Sequence, residues 1–110
     1  MGMVEVKRFQ VYLVALDPVK GAEIQKNRPC VIVSPNELNS QFRTVIIAPM
    51  TTHGFISTFR IPTTFNGKKC LILLDHVLSV DKRRLLKKLG TLSESCAHEL
   101  CGELQEMFAY

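Results

Sequence analysis

Runs rich in Val, Ile and Leu recur at short intervals along the chain, each bounded by Pro, Gly, Asn or Ser: 9–16 (FQVYLVAL), 30–34 (CVIVS), 44–50 (TVIIAPM), 58–62 (TFRIP) and 70–78 (CLILLDHVL). This punctuation predicts β-strands. Several runs are apolar at consecutive positions, so both faces must be covered, and a compact, strongly curved sheet or barrel is the economical way to do that in a small chain. The segment 79–92 (SVDKRRLLKKLGTL) carries mixed signals, because Lys and Leu suit a helix whereas Gly90 and Thr91 favour a strand end. It is read as a short turn near 81–83 followed by a strand across 84–91. Only 93–109 has clear helical periodicity. Ser93 can cap it, and Ala97, Leu100, Cys101, Leu104, Met107 and Phe108 form one apolar stripe against an acidic face. Gly102 inside this helix costs roughly 1 kcal/mol relative to Ala, which points to close packing.

The long connections, 17–29 (DPVKGAEIQKNRP) and 51–57 (TTHGFIS), are polar, contain glycine and carry ionisable groups, as loops that bear chemistry do. A third connection, Pro35 to Arg43, has the length of a wide hairpin loop, so strands 30–34 and 44–50 should pair antiparallel. With Ser34 opposite Thr44, Arg28 faces position 50, next to Thr51. An arginine at the start of a strand is usually just a solvated end. Here Pro29 follows it and disfavours the helical region for the residue before, so Arg28 is extended and restricted in direction. Arg28 and the Thr51-Thr52 pair should therefore share one edge under the 17–29 loop.

Composition adds bounds. The 110 residues are 46% hydrophobic, enough for one core and one domain spanning 1–110, with 1–7 as a possible flexible tail. No stretch approaches the roughly 18 to 20 apolar residues of a membrane span, and no signal peptide is evident, so a cytoplasmic location without membrane contact is expected. Cys30, Cys70, Cys96 and Cys101 then read as small hydrophobes in a reducing compartment. No C-x2-C spacing exists, and Cys96 and Cys101 would point about 140° apart on a helix, so a metal site is not expected. The formal charge of +4 is unevenly spread: Glu94, Glu99, Glu103 and Glu106 lie in the last helix, where there is no Lys or Arg. All 14 basic residues precede it, which suits a polyanion partner on one face of the body.

An arginine fork and a hydroxyl at one edge, with Lys20 and Lys26 in the overhanging loop, suit a phosphodiester. The guanidinium can grip two phosphate oxygens while the threonine hydroxyl hydrogen-bonds the same group as charge builds on it. RNA brings its own nucleophile, the 2′-hydroxyl, leaving the protein to orient, stabilise charge and move protons. Arginine is a poor base because it stays protonated.

These residues carry a resemblance to the MazF/PemK family of toxin endoribonucleases. It rests on YLVALDP, KGAEIQKNRPCVIVSP, APMTT, LLDHV, RLLKKLGTLS and the short final helix, nearly the whole chain. The resemblance implies an SH3-like β-barrel of the CcdB/PemK type with a C-terminal helix, forming a symmetric homodimer whose groove carries single-stranded RNA. It implies cleavage without metal or cofactor by 2′-hydroxyl attack, leaving a 2′,3′-cyclic phosphate and a 5′-hydroxyl, and neutralisation by an antitoxin with an acidic, initially disordered tail. Arg28 falls on the family's catalytic arginine and Thr51 on its catalytic threonine. Asp75 matches an aspartate that some relatives use, but those relatives carry an arginine two positions earlier, where this chain has Leu73, and His76 stands where glutamine is common. His76 is a candidate to assist proton transfer if it faces the Arg28 edge, imidazole being the side chain best suited to that role. Thr52 is a candidate supporting residue; Lys20, Lys26, Asn27, His53, Lys68 and Lys69 are candidate RNA contacts. The Lys82-Arg83-Arg84 and Lys87-Lys88 cluster reads more simply as a solvated face, and His98 as a solvated helix residue.

Two rival readings remain. A gyrase-poisoning toxin resembling CcdB would share the fold, but that family ends in a tryptophan-containing segment and this chain has no Trp. A non-catalytic nucleic-acid module would share the basic body but has no need of an arginine and a threonine facing each other across a hairpin.

Overall fold

The computed structural model describes residues 5–16 and 27–110. Seven strands and two helices are arranged as β1 (Gln10–Ala15), β2 (Asn27–Ile32), α1 (Asn36–Gln41), β3 (Thr44–Thr51), β4 (Arg60–Phe65), β5 (Lys68–Leu73), β6 (Leu78–Asp81), β7 (Leu85–Thr91) and α2 (Glu94–Phe108). All described pairings are antiparallel, in the order β4-β5-β3-β2-β1-β7, with β6 also on β3. The sheet curls into a half-barrel with α2 packed against it.

β3 is the spine. β2 lies along one edge, and β6 and β5 share the other: Thr44 to Ile47 pair with β6, while Met50 and Thr51 pair with β5. The expected single strand over 70–78 is therefore two strands. Its middle, Leu74–His76, is a 3-10 turn where the chain leaves one half of the sheet for the other. The expected strand over 58–62 is shifted to 60–65 and joins β5 through Asn66-Gly67. Both residues have positive φ (51° and 79°), the backbone of a two-residue hairpin loop that favours Asn-Gly.

The consecutive apolar runs do cover two faces. Val31 and Val33 join Val11, Ala48, Met50, Ile61, Ile72 and the helix residues Cys96 and Leu100 in one cluster. Cys30 and Ile32 join Tyr12, Val14, Val45, Ile47 and Val80 in the other. Leu100 is fully buried, so truncating it to Ala costs about 2–5 kcal/mol. α2 begins as expected, with the Ser93 hydroxyl accepting from the Cys96 N–H at 3.2 Å.

Three expectations need correction. The 35–43 connection holds α1, six residues that are too short to show a helical period; the buried Asn39 ties it to the sheet by donating to the Ser34 carbonyl at 2.9 Å and accepting from the Ser34 hydroxyl at 2.5 Å. Gly102 is not a close-packing glycine, since a Cβ there meets nothing within 4 Å. Close packing occurs instead at Gly90, where a Cβ would lie 2.9 Å from Phe65 Cζ. Phe108 ends the helical stripe but is 71% exposed.

Candidate active site

β2 begins at Asn27, so Arg28 stands inside the strand rather than ahead of it. Cys30 pairs with Pro49 and Ile32 with Ile47, one residue away from the expected register. Extending that pairing sets Arg28 across from Thr51. Side chains alternate along a strand, so Arg28 shares the face of Cys30 and Thr51 that of Pro49, and the paired residues place both on one face. The expected register would have put them on opposite faces.

Arg28 and Thr51 line a cavity of about 440 Å³ together with Asn27, Thr52, His53 and Lys68, backed by Phe65 and Leu89. Among the described residues no carboxylate lines it and Arg28 has no ion pair. The Thr51 hydroxyl oxygen accepts from the His53 N–H at 3.1 Å. That contact fixes the side chain while leaving its O–H free to donate. Beneath the site, burial pushes the Cys30 thiol up to about 12 despite the opposing charge of Arg28, so Cys30 stays neutral and packs as a hydrophobe.

Asp75 and His76 do not line this cavity. They occupy the 3-10 corner, where Arg60 donates to both Asp75 carboxylate oxygens, at 2.9 and 3.2 Å. The hydrogen-bonded guanidinium holds the Asp75 carboxyl below the usual carboxylate range. Arg60 pairs with Leu73 across the β4–β5 hairpin. The cation facing Asp75 therefore comes from the neighbouring strand, although position 73 itself has none. His76 Nε2 lies 3.5 Å from Asp75 Oδ2, and its ring lines a separate hollow against Pro49 and Leu78. Sequence reasoning missed Arg60; its only signal was an arginine in an otherwise apolar run. Lys69 is exposed and lines a neighbouring hollow rather than this cavity. Lys20 and Lys26 lie outside the described residues. His98 is solvated, as expected, its side chain 80% exposed beside Glu94.

The family model of PemK-like, MazF-like toxins of type II toxin–antitoxin systems matches residues 7–108. The chain belongs to this family. Among solved structures, MazF from Deinococcus radiodurans superposes with a TM-score of 0.81 at 21% identity, covering 98% of this chain and 100% of that one. A mycobacterial endoribonuclease gives 0.76 at 20% identity, over 94% and 91% of the two chains. A mycobacterial endoribonuclease in complex with its cognate antitoxin gives 0.78 at 19%, over 92% of each. The curled sheet with its terminal helix is thus the MazF fold. Among the described residues no helix of this MazF-like chain is long and apolar enough to cross a membrane.

Proposed function

We propose that the chain is a toxin endoribonuclease that cleaves single-stranded RNA at the Arg28–Thr51 cavity. The observation that carries this reading is a guanidinium and a hydroxyl on one face, in a cavity that the described residues line with cations and no carboxylate, within a chain of the MazF-like toxin family. Arg28 grips two non-bridging phosphate oxygens, and the Thr51 O–H donates to the oxygen on which charge develops. The 2′-oxygen of the preceding ribose attacks phosphorus, and the bond to the 5′-oxygen breaks. The 2′-hydroxyl proton passes to a base and a proton returns to the leaving oxygen, giving a 2′,3′-cyclic phosphate and a 5′-hydroxyl. No metal is needed for these steps. His53 lines the cavity and His76 does not, which favours His53 as the proton acceptor. Thr52, Asn27, Lys68 and Lys69 contact the RNA, with Lys20 and Lys26 of the preceding segment; Asp75 acts in support, through its bond with Arg60. In this reading residues 1–110 work as one unit in the cytoplasm, as a homodimer, inhibiting translation until an antitoxin with an acidic tail competes for the cationic surface.

The test is incubation of the purified protein with mixed-sequence single-stranded RNA in EDTA, with mapping of product ends. Cyclic phosphate ends are expected, falling by roughly 10²-fold or more in Arg28→Ala and in Thr51→Ala. Intact RNA that is nevertheless bound would make the chain a binding module and Arg28 a phosphate clamp. His53→Gln should alter the pH profile of cleavage and His76→Gln should not; the reverse result would assign the base to His76.

A further inference from the structure

The face that carries Thr51 continues beyond the cavity. Thr51 pairs with Leu71, and Leu71 with Pro62, so one row runs across β3, β5 and β4. Lys69 and Thr64 pair two residues further along and share that face by strand alternation. Leu71, Pro62, Lys69 and Thr64, with Ile56 from the loop after β3, line a second hollow of about 460 Å³. It shares Thr52 and Cys70 with the Arg28 cavity, so the two hollows adjoin at the end of β3 and along β5. Among the described residues neither is lined by a carboxylate, and between them they present Arg28, Lys68 and Lys69. The loop that separates them holds two large apolar side chains in water: Phe55 is 77% exposed and Ile56 71%. Gly54, with φ of 113°, supplies the reversal just before them.

Adjoining hollows that present cations, flanked by exposed apolar side chains, match the two-part chemistry of a single strand, a charged backbone and bases with open faces. A base in a duplex cannot turn out into such a hollow, whereas one in a single strand can. We propose that this second hollow is a nucleotide subsite. It holds a residue of RNA flanking the scissile linkage, with Lys69 on the phosphate, Ile56 and Pro62 against the base, and Phe55 at the rim. This inference rests on the ribonuclease reading and adds where the strand runs next.

The test pairs substrate trimming with substitution. RNA oligonucleotides carrying one cleaved linkage are shortened a nucleotide at a time from each end, and kcat/KM is measured for the wild type, Lys69→Ala and Ile56→Ser. Loss of the subsite nucleotide should lower wild-type kcat/KM by about tenfold, and each variant should show much of that loss on the full-length oligonucleotide and little further loss on trimming. Equal trimming factors in wild type and variants would overturn the subsite. If the wild type cleaves nothing, the ribonuclease reading fails; the same comparison is then made on dissociation constants, where coupling between trimming and substitution upholds the subsite and its absence overturns it. Sedimentation of the same variants completes the test. A dimer that dissociates on Ile56→Ser would assign the apolar pair to contact between copies and remove the proposal.

Discussion

Two arginines stand on the same face of the sheet, and their surroundings differ. Arg60 is matched within the chain: Asp75 accepts from its guanidinium through both oxygens, and the pair closes the corner between β5 and β6. Arg28 faces a cavity whose lining, among the described residues, has cations, hydroxyls and apolar walls but no carboxylate. A guanidinium whose donors are already taken by a carboxylate has little to offer a phosphate; one left to a cavity has its full fork available. The comparison shows that the chemistry follows from what the fold withholds from an arginine as much as from the residue type.

The largest effect should separate the two arginines. Arg28→Lys removes the bidentate fork and should lower RNA cleavage by at least about 10²-fold, whereas Arg60→Lys leaves Asp75 a cation and should stay within about threefold. Equal losses in single-turnover rates would break the comparison and bring Asp75 and His76 into the chemistry. A step smaller, Lys68→Glu makes the open site resemble the closed one by adding a carboxylate to the cavity. RNA affinity at about 0.1 M salt should fall about tenfold, and the salt dependence of binding should flatten by one to two charges.

A third test concerns acid. Arg60 depresses Asp75, and the Arg83 N–H and guanidinium depress Asp81. A carboxylate with a lowered folded-state pKa contributes stability that is fully present above its unfolded value and lost as pH falls through the folded one. Thermal stability should therefore decline below about pH 4, the unfolded carboxylate range. Arg60→Ala should lower Tm at neutral pH, with a difference from wild type that shrinks toward pH 2. A constant difference would assign the loss to packing. The smallest effect is a control remote from both arginines: Gly102→Ala fills open space on α2 and should raise stability by about 0.5–1 kcal/mol in urea titrations.

Strands β1, β3 and β7 and helix α2 were legible in the sequence because each combines an apolar run or stripe with turn or cap residues at its ends. α1 was not, since six residues held by Ser34 and Asn39 show no period. The corner at Asp75 and His76 was hidden inside an apolar run because what interrupts it is the pairing of β3, whose two halves take different partners. The Asn66-Gly67 turn carried a readable signal that the strand assignment passed over.

The sequence by itself determined that the chain makes a curved β-sheet covered on both faces, closed by an acidic helix, with an arginine before a proline near a pair of threonines. Those features follow from local chemistry: side-chain period, backbone restriction by Pro29 and the capping of Ser93. Only the tertiary structure decided that Arg28 and Thr51 share a face, that Arg60 and not a neighbour along the strand neutralises Asp75, and that His53 rather than His76 lines the cavity. The physical reason is register. A slip of one residue between β2 and β3 moves every side chain to the other face, and nothing within either strand fixes that slip; it is set by how the two apolar faces of the whole sheet are buried at once.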